Sequence, residues 1–136
     1  YYLIKLALDN NIEVHPIPGP AGVITALSVS GLPTDKFIFE GFLPRKSGKR
    51  LKRLESFINE DRTIIIYESP YRILATLQEI RDILGNRPVA IGREMTKVYE
   101  EIIRGTADEV IQKLKGRKVK GEITLIIGGH KNEAAQ

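Results

Sequence analysis

Thr63-Ile64-Ile65-Ile66-Tyr67, followed directly by Glu68-Ser69-Pro70, combines a continuous apolar run with a helix start. Such a run is typical of a strand that is covered on both faces of a sheet. Ser69 is a suitable N-cap, and Pro70 is a suitable first helical residue because the amide that proline lacks would be unpaired there. The order of strand, turn and helix predicts an α/β unit built around this strand.

The same alternation of strands and helices extends along the chain on both sides of this unit. The predicted strands are Glu13–Ile17, Phe37–Leu43, Thr63–Tyr67, Pro88–Gly92, Tyr99–Arg104 and Ile123–Ile127. The predicted helices begin near Tyr2, Pro20, Lys49, Pro70 and Thr106 and end near Asn10, Ser30, Asn59, Gly85 and Leu114. Thr106 and Glu109 have the spacing of a capping box. The pattern predicts a layered α/β fold with a largely parallel or mixed sheet.

The linker-like sequence Leu32-Pro33-Thr34-Asp35 suggests a domain boundary. We expect residues 1–33 to be the end of an N-terminal domain, 34–130 to be a C-terminal α/β domain, and 131–136 to be a flexible polar tail. The helix before the linker is apolar on nearly all sides, so we expect it to be buried. The chain opens without methionine inside a periodic segment, which suggests the C-terminal part of a longer protein.

Composition excludes several classes of site. The 136 residues contain no cysteine, so disulfides and thiolate metal sites are impossible. The two histidines are far apart in sequence and have no metal-ligand spacing, so we expect no metal. The apolar runs are too short to span a bilayer and no signal peptide is visible, so we expect a cytoplasmic protein without a membrane partner.

The positive charge is concentrated in two places, although the net charge is only +4. Six basic residues and no acid lie between Pro44 and Arg53, and five more lie between Lys113 and Lys120. Such clusters are compatible with a polyanionic ligand or with two solvated faces.

A further pattern lies at the predicted strand ends, where Gly41, Glu68, Arg93 and Glu94 all fall. Ligands of open α/β sheets bind beyond the carboxyl ends of strands, although polar residues are common there in any case.

Six short motifs occur in one order along nearly the whole chain. They are Pro18-Gly19-Pro20, Gly31-Leu32-Pro33, Phe39-Glu40-Gly41-Phe42-Leu43-Pro44, Tyr67-Glu68-Ser69-Pro70-Tyr71-Arg72, Arg93-Glu94-Met95-Thr96-Lys97 and Gly121-Glu122. Together they resemble the tetrapyrrole methylases, and most closely the branch that methylates a cytidine 2′-hydroxyl in bacterial small-subunit ribosomal RNA. The resemblance implies a two-domain α/β homodimer that binds S-adenosylmethionine between its domains. The family's N-terminal Gly-rich loop has no counterpart here, so we expect this chain alone to bind the cofactor weakly and to be inactive.

The resemblance also implies roles for individual residues. The implied cofactor-binding residues are Pro18, Gly19, Gly41, Phe42, Tyr67, Gly121 and Glu122. The candidate catalytic residues follow from chemistry, since a carboxylate close to the hydroxyl could accept its proton: Glu94 is the first candidate for the general base and Glu68 the second, with Arg93 beside them. The candidate RNA contacts, with ribosomal RNA or the assembled subunit as the partner, are the basic residues Arg45, Lys46, Lys49, Arg50, Arg72 and Lys97.

Alternatives remain open at this point. Glu68 and Arg72 are close enough in sequence to form a purely structural ion pair. For the protein as a whole, the rival functions are carbon methylation of a corrin or porphyrin and RNA binding without catalysis.

Overall fold

The computed structural model describes residues 1–130, so the predicted flexible tail lies outside the described residues. Five helices and five strands are present in this range. The helices are α1 (Tyr2–Asp9), α2 (Gly22–Ser28), α3 (Ser47–Glu55), α4 (Ile73–Leu84) and α5 (Ala107–Leu114). The strands are β1 (Phe37–Phe42), β2 (Thr63–Glu68), β3 (Pro88–Arg93), β4 (Glu101–Thr106) and β5 (Ile123–Ile127). Within residues 1–130, no helix has the length and apolar character needed to cross a bilayer.

The strands form one mixed sheet in the order β1-β2-β5-β3-β4. β1 and β2 are parallel, whereas β5 is antiparallel to both of its neighbours, β2 and β3, and β4 is antiparallel to β3. The predicted mixed α/β sheet is therefore confirmed. This topology brings the carboxyl ends of β1, β2 and β3 and the amino ends of β4 and β5 to one edge of the sheet.

The two faces of the sheet are covered by different helices. Ile64 and Ile66 of β2 join a core that includes residues of α3, α4 and α5. Ile65, whose side chain points the other way because strand side chains alternate, packs with Ala26 and Leu27 of α2. All three isoleucines are fully buried, as the apolar run predicted.

Two of the helix ends predicted from local sequence signals agree with the structure, and a third lies at a different residue. The capping box of Thr106 and Glu109 is present, and Gly85 ends α4 with a positive φ of 86°. By contrast, α4 begins at Ile73 rather than at Pro70. The amides of Arg72 and Ile73 both donate to the Ser69 carbonyl, so a separate turn precedes the helix.

Two predictions for the first thirty residues are wrong. The expected strand Glu13–Ile17 has no regular secondary structure and belongs to no sheet among residues 1–130, because it pairs with neither β1 nor β4, the edge strands. The second helix begins at Gly22, not Pro20, and buries only Ala26 and Leu27. It contacts the sheet along one side alone, so its other apolar side chains stay partly or fully exposed.

Candidate functional site

An apolar cleft of about 630 Å³ lies at the sheet edge where the carboxyl ends of β2 and β3 meet the amino end of β5. Its volume is within the range of small-molecule and cofactor sites. The lining residues are Gly22, Phe42, Tyr67, Glu68, Ser69, Pro70, Gly92, Met95, Gly121, Glu122, Ile123 and Thr124. The cleft is therefore where the strand-end argument placed a ligand.

Aromatic rings form one wall of this cleft. Tyr67 packs edge-on against Phe39, with ring centroids 5.0 Å apart, and lies 5.6 Å from the ring of Phe42. Phe42 is 64% exposed although it borders the apolar cleft. An exposed aromatic face beside an apolar cleft suits a flat, partly apolar ligand such as a nucleoside.

Four of the seven predicted cofactor residues line the cleft: Phe42, Tyr67, Gly121 and Glu122. Gly41 does not line it. Its positive φ of 74° accompanies a register shift in β1 between Phe39 and Gly41, immediately before Phe42. Pro18 and Gly19 are exposed and are not among the lining residues.

The site residues predicted from the sequence leave out seven of the lining residues, which are Gly22, Ser69, Pro70, Gly92, Met95, Ile123 and Thr124. Gly92 and Met95 are the pair among them that shapes the cleft most directly. The side chain of Met95 packs onto Gly92, where an added Cβ would lie 3.1 Å from the Met95 sulfur and 3.3 Å from Cβ of Ala26. Gly92 therefore lets α2 and the loop after β3 approach the sheet closely. The available signal was a glycine inside an apolar strand, which marks close approach of neighbouring groups.

Glu68 lies at the floor of the cleft, and its side chain is fully buried. One carboxylate oxygen accepts from the Ser69 amide at 2.6 Å and from Arg72 Nη2 at 2.8 Å. The other accepts from Thr76 Oγ1 at 2.7 Å. Because both oxygens are already hydrogen-bonded, the geometry supports the structural ion pair over a role for Glu68 as a base.

Glu94 connects the loop after β3 to the start of β5. Its amide donates to the Glu122 carbonyl at 3.0 Å, and its Oε1 accepts from the Glu122 amide at 2.8 Å. Its side chain lies directly over Gly121, where an added Cβ would be 2.4 Å from three of its atoms. Glu94 itself has a positive φ of 47°, which is uncommon for a residue with a side chain. The reciprocal bonds hold the Gly121–Glu122 wall of the cleft in place.

The carboxylate of Glu94 is ionised across the neutral pH range. The hydrogen bond from the Glu122 amide, and next the one from Lys97, lower its pKa from the ordinary value of 4.5. A lowered pKa means that the bonds to the carboxylate persist at and above pH 4.5 and are lost as the pH falls through the lowered value. It also makes Glu94 a weaker base than an ordinary glutamate. Oε2 has no hydrogen-bond partner among the described residues.

Arg93, the third predicted catalytic residue, belongs to an ion-pair network. Its Nε donates to Glu101 Oε2 at 2.9 Å, and its Nη1 donates to the Lys120 carbonyl at 3.1 Å. Arg117 donates to the same carboxylate. Burial acts to raise the pKa of Glu101, but the hydrogen bonds from Arg117 and Arg93 outweigh it and lower that pKa. These contacts support a positioning role for Arg93.

The basic residues before and within α3 differ in their surroundings. Arg50 was expected to offer a free charge, but it is 13% exposed and makes two hydrogen bonds of 2.6 Å to Glu79 of α4. The reason is helical spacing: Arg50 lies four residues before buried Leu54 and so faces α4. Arg45, Lys46 and Lys49 are exposed and have no ion-pair partner within residues 1–130.

The two other predicted RNA contacts are also paired with acids. Arg72 binds Glu68, as described above. Lys97 Nζ lies 3.3 Å from Glu94 Oε1 and 3.1 Å from Glu122 Oε2. Arg45, Lys46 and Lys49 are therefore the predicted contacts whose charges remain available to a ligand.

Comparison with known proteins gives a consistent result. The family model for Tetrapyrrole (Corrin/Porphyrin) Methylases matches residues 1–111. Ribosomal RNA small subunit methyltransferase I of Thermotoga maritima is 45% identical over 129 residues, which are 95% of this chain and 58% of that protein. The protein of the same name from Hydrogenobaculum is 48% identical over 128 residues, covering 93% of this chain and 55% of its own length. The chain thus spans little more than half the length of these relatives.

Solved structures show the same fold at low sequence identity. The methyltransferase CobJ has a TM-score of 0.64 at 16% identity, over 93% of this chain and 55% of its own. Uroporphyrin-III C-methyl transferase from Thermus thermophilus, complexed with S-adenyl homocysteine, has a TM-score of 0.56 at 18% identity, over 92% of this chain and 57% of its own. At these identities the likeness establishes the fold alone.

Proposed function

The chain belongs to the tetrapyrrole methylase family, and from this membership we propose that it forms part of an S-adenosylmethionine-dependent methyltransferase that acts on small-subunit ribosomal RNA. The observation that carries the proposal is the identity of 45% over 95% of the chain to a protein named for that substrate. The finer proposal is transfer of the methyl group to the 2′-hydroxyl of a cytidine. It rests on the resemblance of the six motifs.

The apolar cleft is the proposed cofactor site. Phe42 and Tyr67 would hold the adenine ring, and Glu122 would accept hydrogen bonds from hydroxyl or amino groups of the cofactor. The backbone at Gly121 would lie against it without an intervening side chain. When bound, S-adenosylmethionine supplies an electrophilic methyl group. The residues of the chain contribute by holding the acceptor oxygen in line with that group, which provides much of the rate in such reactions.

The rival functions differ in what they would require of the chain. A corrin or porphyrin methylase needs no extended cationic face, whereas Arg45, Lys46 and Lys49 are three exposed cations, unpaired within residues 1–130, that follow closely in sequence on Phe42, a residue of the cleft. Identity to the methyltransferase CobJ and to the uroporphyrin-III C-methyl transferase is also only 16–18%. A purely RNA-binding module would have no use for an apolar cleft of this volume. We retain the domain boundary near residue 34, the homodimer and the cytoplasmic location as parts of the proposal.

The test of this function is ribose-methylation mapping of small-subunit RNA. Cells that lack the gene should lose one ribose methyl group at a cytidine, and the full-length gene product with S-adenosylmethionine should restore it on purified subunits. If the restored methyl group were on a nucleobase, the proposed acceptor, the 2′-hydroxyl, would be wrong and the proposal of RNA methylation would stand. Unchanged RNA methylation, together with methyl transfer to a porphyrin, would replace the proposal by its rival.

Glu94→Gln in the full-length gene product should separate anchoring from proton transfer. The amide oxygen of Gln can still accept from the Glu122 amide, so cofactor affinity should be preserved. If the free Oε2 accepts the hydroxyl proton, turnover should fall by about a hundredfold. This is the lower end of the rate loss expected when a general base is removed, because the lowered pKa of Glu94 makes it a weak base. Single-turnover methylation and calorimetry measure the two effects. Normal turnover in this variant would leave Glu94 with the anchoring role only.

A triple variant in which alanine replaces Arg45, Lys46 and Lys49 should bind RNA more weakly, and its RNA affinity should depend less on the salt concentration. Each cation that neutralises a phosphate adds about 0.7–0.9 to the slope of log affinity against log salt, so the slope should flatten by about two. Cofactor affinity should stay unchanged. Lys36→Ala is the control, because Lys36 is exposed at the opposite edge of the sheet. An unaltered slope in the triple variant would make this segment a solvated face.

A further inference from the structure

A second cleft, of about 420 Å³, lies beside the proposed cofactor cleft and shares Gly121 with it. It is formed by the loop between β3 and β4 and the loop between α5 and β5. Tyr99 comes from the first loop, and Arg117, Lys118 and Lys120 come from the second. The second basic cluster of the sequence therefore borders a concave surface, which we term the basic cleft.

The basic cleft carries free positive charge of its own, in addition to that of Arg45, Lys46 and Lys49. Arg117 is neutralised by Glu101, and the Glu94 carboxylate that also lines the cleft is paired with Lys97. Lys118 and Lys120 are exposed and make no ion pair with any residue from 1 to 130. Two unpaired ammonium groups beside already neutralised pairs leave the cleft with a net positive potential, which favours an anionic ligand.

Tyr99 adds an aromatic face to the same cleft. Its side chain is 74% exposed, so the ring is open to a ligand. The loop that carries it is held by local bonds: the Thr96 amide donates to Glu100 Oε2 at 2.5 Å, and the Lys97 amide donates to the Glu94 carbonyl at 3.0 Å. The aromatic ring is therefore presented from an ordered loop.

We propose that the basic cleft binds single-stranded RNA, with one base stacked on Tyr99 and adjacent phosphates bound by Lys118 and Lys120. Aromatic side chains that stack on bases, next to cations that follow the backbone, are how proteins bind single-stranded nucleic acid. A strand bound there places a neighbouring nucleotide at Gly121, where the cofactor cleft begins. The inference rests on the proposed function, and it names the substrate-binding surface on this side of the reaction site.

The experiment measures binding of a fluorescein-labelled single-stranded RNA oligonucleotide to the full-length gene product by anisotropy across a salt series. Tyr99→Leu should weaken binding about fivefold or more, the lower end for loss of one stacked base. Lys118→Ala with Lys120→Ala should flatten the salt slope by about 1.4. Tyr71→Leu and Lys115→Ala are the matched controls, because both residues are exposed and neither lines the basic cleft.

The outcomes separate this inference from the function on which it rests. RNA affinity and salt slope that are unchanged in both cleft variants would overturn the basic cleft as an RNA site, while methylation of the small subunit by the same protein would leave the proposed function standing. No RNA binding and no RNA methylation by the unsubstituted protein would overturn both. Melting temperatures matching those of the controls would show that losses of affinity do not come from unfolding.

Discussion

Glu68→Ala is expected to lower the free energy of unfolding by about 3 kcal/mol, equivalent to a melting temperature lower by about 10 °C. The variant leaves the Arg72 guanidinium and the Thr76 hydroxyl without their buried partner. We take the lower end of the range for a broken buried pair because Arg72 is 29% exposed. Thermal and urea denaturation of the unsubstituted and substituted chains provide the measurement.

Glu122→Ala is the matched control for this prediction, because Glu122 is a glutamate of the same cleft whose side chain is 85% exposed. Its stability should change by no more than about 0.5 kcal/mol. If Glu68→Ala melted normally and nevertheless lost methyl transfer, the assignment of Glu68 as a structural residue would be wrong, and its candidacy as the base would be restored.

Gly121→Ala should weaken S-adenosylmethionine binding by the full-length gene product by about tenfold or more, which corresponds to about 1.4 kcal/mol of lost binding free energy. The added methyl carbon would lie 2.4 Å from Cγ, Cδ and Oε1 of Glu94. Either Glu94 must release the Glu122 amide or the backbone of the cleft wall must move. Calorimetric titration with S-adenosylmethionine measures the loss of affinity.

Gly116→Ala controls for backbone strain in that experiment. Gly116 also has a positive φ, 75° against 90° for Gly121, but an added Cβ would contact nothing within 4 Å. It should therefore lose stability and keep its cofactor affinity. In the double variant Glu94→Ala with Gly121→Ala the clash is absent. The loss in free energy of unfolding should therefore be smaller in the double variant than the sum of the losses in the two single variants. Additive effects would contradict the proposed contact between the two residues.

Local and short-range signals were sufficient for most of the fold. The run Thr63–Tyr67 predicted a central strand because three consecutive isoleucines can be buried only if both faces of the sheet are covered. Thr106 and Gly85 marked helix ends because capping and positive φ depend on residues only a few positions apart. The alternation also indicated the edge of the sheet where the cleft lies, and Glu68, one of the four strand-end residues, lines it. The four cofactor residues that line it were implied by the family resemblance and not by local signals.

The roles of the charged residues could not be predicted in the same way. Lys49 and Arg50 are neighbours in sequence, yet Lys49 faces solvent and Arg50 pairs with Glu79, which is 29 positions away. Glu94 is 28 positions from the Glu122 amide that it accepts from. Pairs of this kind depend on which strands become neighbours, and the insertion of β5 between β2 and β3 is what brings these two segments together.

By itself, the sequence determined the α/β alternation, the central strand and the edge of the sheet where a ligand would lie, because hydrophobic period and turn chemistry are properties of adjacent residues. Only the tertiary structure decided which charges are free. It paired Arg50, Arg72, Arg93 and Lys97 with acids, and it left Lys118 and Lys120 unpaired beside Tyr99. The physical reason is that a charged side chain can be neutralised only by what the fold brings within a few ångströms of it.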